Sequence, residues 1–400
     1  MTPANAMRCS LAAALAPLNL YLLGLLGAAA RGASRATPRA KSPGRLRFAV
    51  VVPAHDEEAS LGATLASLGA VTYSPELVET IVIADNCSDR TAEIAAAAGA
   101  TVWERRGSAG GKGAALEWAI ARVLAEREAC DAVAIVDADC TVAPNLLFAL
   151  DVRLRAGAVA VQTVYEVANP SASATAALRY ASFALINLVR PLGKATLGLS
   201  AGLLGTGMAF RRELLAERPW TARSLVEDQE YHLELVAAGV RVVFAPETWV
   251  RSAMPTSLAR SRSQQLRWDA GRGALIRCWT PRLLAAAARQ RDPARAHAAL
   301  EPLVPPQSVL LAANTAGAVL ALGGTRAVRR AGLANLALQG AFVTGGLALA
   351  RAPAAVWRAL AVAPALAVWK LLLLSRLWLG TAPRQWVRTA REPGSGGCSP

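Results

Sequence analysis

Histidine and lysine are almost absent from this chain: three of its 400 residues are His and four are Lys. His55, His232 and His297 are scattered and read as structural or exposed side chains rather than catalytic ones. The six cysteines (Cys9, Cys87, Cys130, Cys140, Cys278, Cys398) show neither C-x-x-C nor His-paired spacing. That spacing indicates neither a zinc site nor a disulfide framework, and favours reduced thiols on the cytosolic side. Acids are also sparse, 28 against 43 bases, so the formal charge is +15, carried by 39 arginines. A GC-rich genome accounts for part of that arginine, and contact with anionic headgroups and an anionic substrate for the rest. Long apolar stretches are what the chain does have. Its 54% hydrophobic content and mean hydropathy of +0.32 point to membrane segments beside one large domain or two.

The chain is organised around Ala132-Val-Ala-Ile-Val-Asp-Ala-Asp139, in which five apolar residues end in two carboxylates one residue apart. An apolar run without alternation reads as a strand buried on both faces of a parallel sheet. Ligands of open α/β sheets gather at the carboxyl ends of such strands, where Asp137 and Asp139 sit. Two hard oxygen ligands on a rigid strand tip suit Mg²⁺ or Mn²⁺ carrying a phosphate-bearing substrate.

Around this run strands and helices alternate. Phe48–Val52, Thr80–Ala84, Thr101–Glu104, Val159–Val167, Met208–Arg211 and Val240–Phe244 read as strands. Helices are expected at Ser60–Leu68, from Ser88 or Asp89 through Ala98, after the Gly107–Gly113 turn through Glu128, and at Ser173–Val189. A further helix opens at Val226 and ends near Gly239, and Thr256–Cys278 forms a basic amphipathic stretch. The spacing predicts a parallel, doubly wound α/β sheet. Three successive strands end in acids (Asp56 and Glu57, Asp85, Asp137 and Asp139), on what would be one edge of that sheet. Gln264, Arg267 and Trp268 share one helix face, being i, i+3 and i+4.

Flanking this core are membrane-like runs. Leu11–Ala30 is uncharged and, at 20 residues, long enough to span a bilayer. Arg31, Arg35, Arg39, Lys41, Arg45 and Arg47 follow it, whereas Arg8 alone precedes it. That asymmetry favours an uncleaved anchor over a cleaved signal peptide and keeps the following domain cytoplasmic. Ser34–Arg45 is a linker. Val304–Gly323 and Ala331–Ala350 read as two spans, and Pro353–Leu379, interrupted by Arg358, Lys370 and Arg376, as an interfacial helix or third span. Two spans return the basic tail to the cytoplasm, although Arg326, Arg329 and Arg330 run against the charge rule. The expected organisation is thus residues 1–47 for anchor and linker, 48–255 for the α/β domain, 256–300 for interface helices, and 301–400 for a membrane region.

Seven elements occur in order: Pro53-Ala-His-Asp-Glu-Glu58, Ala84-Asp-Asn-Cys-Ser-Asp89, Gly111-Lys-Gly113, Val136-Asp-Ala-Asp139, Gly205-Thr-Gly207, Glu227-Asp228 and Gln264-x-x-Arg267-Trp268. In that order they resemble family 2 of the glycosyltransferases, specifically its membrane-integrated inverting members. These include the cellulose, hyaluronan, chitin and poly-N-acetylglucosamine synthases and the ceramide glucosyltransferases. The resemblance covers about Val50–Gly271. It implies a GT-A fold, a divalent metal (Mg²⁺ or Mn²⁺) on Asp137 and Asp139, with Asp139 foremost, and Asp228 as catalytic base. Asp85, Lys112, Asp137 and Arg267 would bind the nucleotide sugar; Gly205, Thr206, Gly207, Gln264 and Trp268 would form the acceptor side. Each role also has a bland counterpart: Asp228 as an N-terminal helix acid, Trp268 as an interface aromatic, Lys112 as a solvated turn residue. One departure stands out, since Asp56 occupies a position where the family commonly has Asn.

The resulting expectation is an inner-membrane enzyme with its catalytic domain in the cytoplasm. It would move a sugar from a nucleotide sugar, UDP-linked, to a glycan or lipid acceptor in envelope or exopolysaccharide synthesis. Single-sugar transfer to a lipid is the alternative to polymer synthesis, and a polymer would call for a partner or homo-oligomer to supply a passage. Membrane lipids are expected partners and nucleic acid is not. A non-catalytic envelope scaffold is disfavoured because it needs neither a base nor a metal site. A nucleotidyltransferase would leave the Q-x-x-R-W helix unexplained.

Overall fold

The computed structural model describes residues 2–33, 44–107 and 111–364. Eight strands form one sheet: β1 Phe48–Ala54, β2 Val78–Asp85, β3 Thr101–Arg105, β4 Ala132–Ile135, β5 Cys140–Val142, β6 Ala160–Val167, β7 Met208–Arg211 and β8 Val242–Ser252. Their order is β3-β2-β1-β4-β7-β6-β8-β5. The first four run parallel, as the strand–helix alternation predicts. The sheet as a whole is mixed, which corrects the all-parallel expectation. β7 lies antiparallel between β4 and β6, and β5 is antiparallel to β8. A parallel entry needs a crossover long enough to carry the chain back to the opposite edge. The segment before Met208 instead arrives at the edge where β4 leaves, so β7 runs back beside it.

Successive residues of the apolar strands face opposite sides and build two cores. Val51, Ile83, Val133 and Ile135 join Leu116, Ala119 and Val123 of helix Gly111–Glu126 on one face. On the other, Val50, Val52, Val82 and Ala134 join Leu61 and Leu65 of Leu61–Gly69 and Leu146, Leu147 and Leu150 of Leu146–Arg155. Each buried Val, Leu or Ile among them contributes about 1.5–3 kcal/mol.

The first core does not stop at the sheet. It runs through Leu185, Val189 and Leu192 to Leu22 and Ala29 of the N-terminal helix Pro3–Ala33 and to Phe342 of Arg326–Leu349. The expected helix over 173–189 forms Ala174–Phe183, continues as a π turn over Ala184–Val189, and extends through Arg190–Thr196. The wide turn ends two residues before Pro191, which has no N–H to give to the preceding turn. Gly193 lets this helix touch the N-terminal one: a Cβ there would stand 2.4 Å from the Leu25 carbonyl oxygen.

Among the described residues, Pro3–Ala33 and Arg326–Leu349 are long and apolar enough to cross a membrane. Asn19 bridges Asn314 and Asn335 between the helices, its Nδ2 donating to Asn314 Oδ1 at 2.8 Å and to Asn335 Oδ1 at 3.2 Å. Within the run expected as a span at 304–323 lies the 15-residue helix Gln307–Ala321, which is long and apolar enough to cross a membrane together with Pro293–Leu303, from which it is bent by 74°. Pro305 and Pro306 interrupt the backbone hydrogen bonds at that bend. Of the 353–379 segment, Ala354–Ala359 is helical, while residues 365–379 lie outside the described residues, as do linker positions 34–43.

Candidate active site

The carboxyl ends of β1, β2 and β4 meet at one edge. Asp85 is the last residue of β2 and pairs in register with Arg105, the last of β3. Their side chains form an ion pair, both more than nine-tenths buried, and Asn86 Nδ2 donates to Asp85 Oδ1 at 2.9 Å. His55 lies with Nδ1 2.7 Å from the Asp85 carbonyl oxygen, a structural placement. Asp56, at φ +52°, accepts the Ser88 N–H at 2.7 Å and so braces the turn after β2.

β7's direction builds the centre of the site. Ile135 pairs with Met208, so the chain just before Met208 must pass the residues just after Ile135. There the Asp137 N–H donates to Thr206 Oγ1 at 3.0 Å. Gly205 and Gly207 hold φ of +84° and +64°, which favour glycine, and a Cβ on Gly207 would stand 2.2 Å from Thr163 Oγ1. Buried Gln162 fixes the same loop, donating to Thr206 O at 2.8 Å and accepting the Leu204 N–H at 2.9 Å.

Lys112 enters from the first turn of helix Gly111–Glu126. Its Nζ lies 2.6 Å from Asp137 Oδ1 and 3.6 Å from Glu227 Oε1, and donates to Gly205 O at 2.7 Å. A Cβ on Gly113 would meet the Ala222 carbonyl at 2.5 Å, and this close approach brings the helix against the 222–227 segment. Asp228 opens the helix Glu227–Ala237, with Oδ2 3.5 Å from where a Gly205 Cβ would stand.

The electrostatics follow from burial. Asp228 is pushed up to about 7 by desolvation and then by neighbouring Glu227, against the pull of Lys112. Asp137 is pushed up to about 6 by desolvation, with Lys112 pulling down and Asp139 raising it. Burial would lower Lys112, but Asp137 and Glu227 outweigh it and hold the ammonium above its ordinary value. Arg267 is lowered by burial, while Glu227, Asp137 and Asp139 support its charge.

Arg267, Gln264 and Trp268 come from helix Leu258–Cys278 and line the same cavity of about 1490 Å³ as Asp85, Lys112, Asp137, Asp139, Gly205 and Asp228. Trp268 packs on Phe183, ring centres 6.3 Å apart. Gln264 Oε1 is buried and has no hydrogen-bond partner among the described residues. Thr206 and Gly207, also predicted for the acceptor side, support the loop from behind: Thr206 is wholly buried.

Asp137, Asp139 and Cys140 bring their ligand atoms within 4.8 Å of one another. Burial first, then Asp139, holds the Cys140 thiol well above its ordinary pKa, so it is protonated and a poor partner for a hard cation. Two carboxylates remain, and that donor set fits Mg²⁺ or Mn²⁺. Reading the sequence residue by residue missed Arg105 and the role of Glu227 as neighbour to both Lys112 and Asp228. Arg105 had a signal, since it stands at the carboxyl end of a predicted strand beside Asp85.

A family model described as "Glycosyltransferase like family 2" matches residues 43–271. The chain is 28% identical over 226 residues to the Probable glycosyltransferase YdaM of Bacillus subtilis (strain 168). That match covers 51% of this chain and 52% of the relative, so the chain spans about half the relative's length. Among solved structures, the mannosyltransferase PcManGT from Pyrobaculum calidifontis, in complex with GDP-Man and Mn²⁺, is similar with a TM-score of 0.54 and 18% identity. The likeness covers 86% of this chain and 98% of that one, and it is a likeness of fold: both are GT-A.

Proposed function

This chain belongs to the glycosyltransferases like family 2, and we propose that it moves a sugar from a nucleotide sugar, UDP-linked, to an acceptor at a membrane, with inversion. The observation that carries this reading is the meeting of Asp137, Asp139, Asp228, Arg267 and Trp268 around one cavity at the carboxyl edge of the sheet. Asp137 and Asp139 would hold Mg²⁺ or Mn²⁺, which when bound supplies positive charge to the departing diphosphate. PcManGT, solved with GDP-Man and Mn²⁺, supports that assignment through the shared fold. Arg267 offers the same phosphates a planar fork of donors. Lys112 keeps Asp137 in place and ties it to the Gly205 loop. Asp85, oriented by Arg105, is the nucleoside contact.

Asp228 takes the proton from the acceptor hydroxyl as that oxygen bonds to the anomeric carbon and the carbon–phosphate-oxygen bond breaks. Its carboxyl, raised to about 7 by burial and Glu227, is basic enough to accept a proton and still ionised in a large fraction near neutrality. Trp268 presents a flat face for a pyranose ring, and Gln264 lines the same cavity.

A lipid acceptor is supported by the wall of the cavity. The helix segments 174–196 face the cavity with Arg179 and Arg190 and pack Leu185 and Val189 against the two apolar helices. Large apolar side chains on those helices, such as Leu20 and Leu333, are exposed, which supports contact with membrane lipids. Polymer synthesis is the second reading, favoured by the likeness of Gln264-x-x-Arg267-Trp268 to the synthases; it would need a partner or second copy for export.

The test uses membranes containing the full chain, a panel of labelled UDP-sugars, and Mg²⁺ or Mn²⁺, with products split into organic-soluble and high-molecular-mass fractions. Asp228→Asn should cut transfer about 10²–10⁴-fold with UDP binding retained. Unchanged product formation in that variant would remove the base assignment.

A further inference from the structure

The cavity holds a second group of charges that sugar transfer does not use. Arg179, Arg190, Lys194 and Arg272 line it together with Asp269 and Glu301. Glu301 lies 2.7 Å from Lys194 Nζ and 3.2 Å from Arg190 Nη2. Arg272 reaches Asp269 Oδ1 at 3.3 Å and donates to Val304 O at 3.1 Å. Four cations therefore face two carboxylates, an excess of two positive charges. Nearby His232 adds none, because burial pushes it down to about 4.

Two of these cations carry unmade bonds. Arg179 is only 9% exposed, yet among the described residues its Nη2 has no hydrogen-bond partner, and neither does Arg190 Nε. Buried charged donors are rarely left so, because each loses its hydration without replacement. Such donors are completed by bound water or by a ligand.

Its position relative to the reacting centre is set by the loop before β7. A Cβ on Gly202 would lie 3.4 Å from Lys194 Nζ, and one on Gly205 would lie 3.5 Å from Asp228 Oδ2. Two residues, Leu203 and Leu204, lie between these glycines, whose Cα atoms are at most about 11 Å apart along the chain. The opposite face of the helix bearing Arg179, Arg190 and Lys194 is packed on apolar helices: a Cβ on Gly346 would meet Leu185 at 2.3 Å.

We propose that Arg179, Arg190 and Arg272 form a subsite for a phosphate monoester on an amphiphilic acceptor, within reach of the transfer centre. Two excess charges match a dianionic monoester, and guanidinium forks match its terminal oxygens. The proposal rests on the glycosyltransferase reading for its reacting end, and only there.

The experiment measures equilibrium binding of labelled dodecyl phosphate to the full chain in neutral detergent. Dodecanol and inorganic phosphate are run beside it, and UDP binding with Mn²⁺ serves as control. Saturable binding of dodecyl phosphate, at least tenfold tighter than either dodecanol or inorganic phosphate, is expected. Arg179→Gln should weaken it tenfold or more with UDP affinity unchanged, and Arg179→Lys should restore part. Should Arg179→Gln not fold, Arg272→Gln replaces it with the same expectation. Equal binding of inorganic phosphate would overturn the lipid assignment in favour of a free anion. No saturable binding by protein that still binds UDP would overturn the subsite. Dodecyl phosphate binding without UDP binding would leave the subsite standing and sink the donor reading instead.

Discussion

Removing Lys112 should destabilise the protein far more in alkali than in acid. Its ammonium sits 2.6 Å from Asp137 and 3.6 Å from Glu227, and Met in its place preserves the bulk of the stem. Two contributions are lost. The hydrogen bond to Gly205 O, 2.7 Å long, contributes about 1 kcal/mol at any pH. Breaking a buried ion pair from one side costs about 3–5 kcal/mol. The lower end applies here, since 23% of the Lys112 and 26% of the Asp137 side chain remain exposed.

The pH dependence fixes the sign. Asp137 is raised to about 6 and Asp228 to about 7, so between roughly pH 4 and 7 the folded chain binds more protons than the unfolded one. Their joint effect is that stability falls as pH rises through that window. Lys112 pulls both values down; without it both climb, and the fall becomes steeper and reaches higher pH. Near pH 5 Asp137 and Asp228 are mostly protonated in either protein, so the pair with Asp137 is largely gone before the substitution and the hydrogen bond, about 1 kcal/mol, is the main loss. Near pH 8 the variant should be about 3–4 kcal/mol less stable than the wild type. Urea unfolding followed by tryptophan fluorescence, in chelator, reads this difference. Equal deficits at the two pH values, or the larger one in acid, would refute the reasoning.

Two further perturbations test the scaffold. Gly207→Ala forces a Cβ to 2.2 Å from Thr163 Oγ1 at a φ of +64°, and should cost at least about 2 kcal/mol. Thr163→Ala in the same chain should recover part of that loss in a thermal melt, and a single variant melting like wild type would contradict it. Asn19→Ala removes the amide shared by Asn314 and Asn335 and should weaken helix association by about 1 kcal/mol, read as an earlier midpoint in detergent-induced unfolding. An unmoved midpoint would show that the bridge is dispensable.

What was legible in the chain was what leaves a local signature. Apolar runs ending in Asp85 and Asp137 marked strand tips, and parallel pairing then placed them side by side without further information. The direction of β7 left no such mark, because a four-residue strand carries no trace of which neighbour it will join. Cys140–Val142 is shorter still and shows no period. The bend at Pro305 and Pro306 was written in the sequence, but counting uncharged residues over 304–323 passed over it. Arg179 and Arg190 were hidden for another reason. A lone arginine in a helical run is ordinarily solvated, and only the packing of both helix faces reveals that these two are enclosed.

The contact of Gly193 with Leu25 bears on any attempt to make a soluble fragment. With no side chain between the two backbones, the N-terminal helix is not a leash that can be cut at will. A chain begun after Ala33 would strip cover from Leu185, Val189 and Leu192, which share one apolar cluster with Leu22 and Ala29. Such a truncation would trade one greasy surface for another and self-associate through the wound. Surfactant chosen to shield the helix is therefore the better route to a monodisperse sample than a shorter gene.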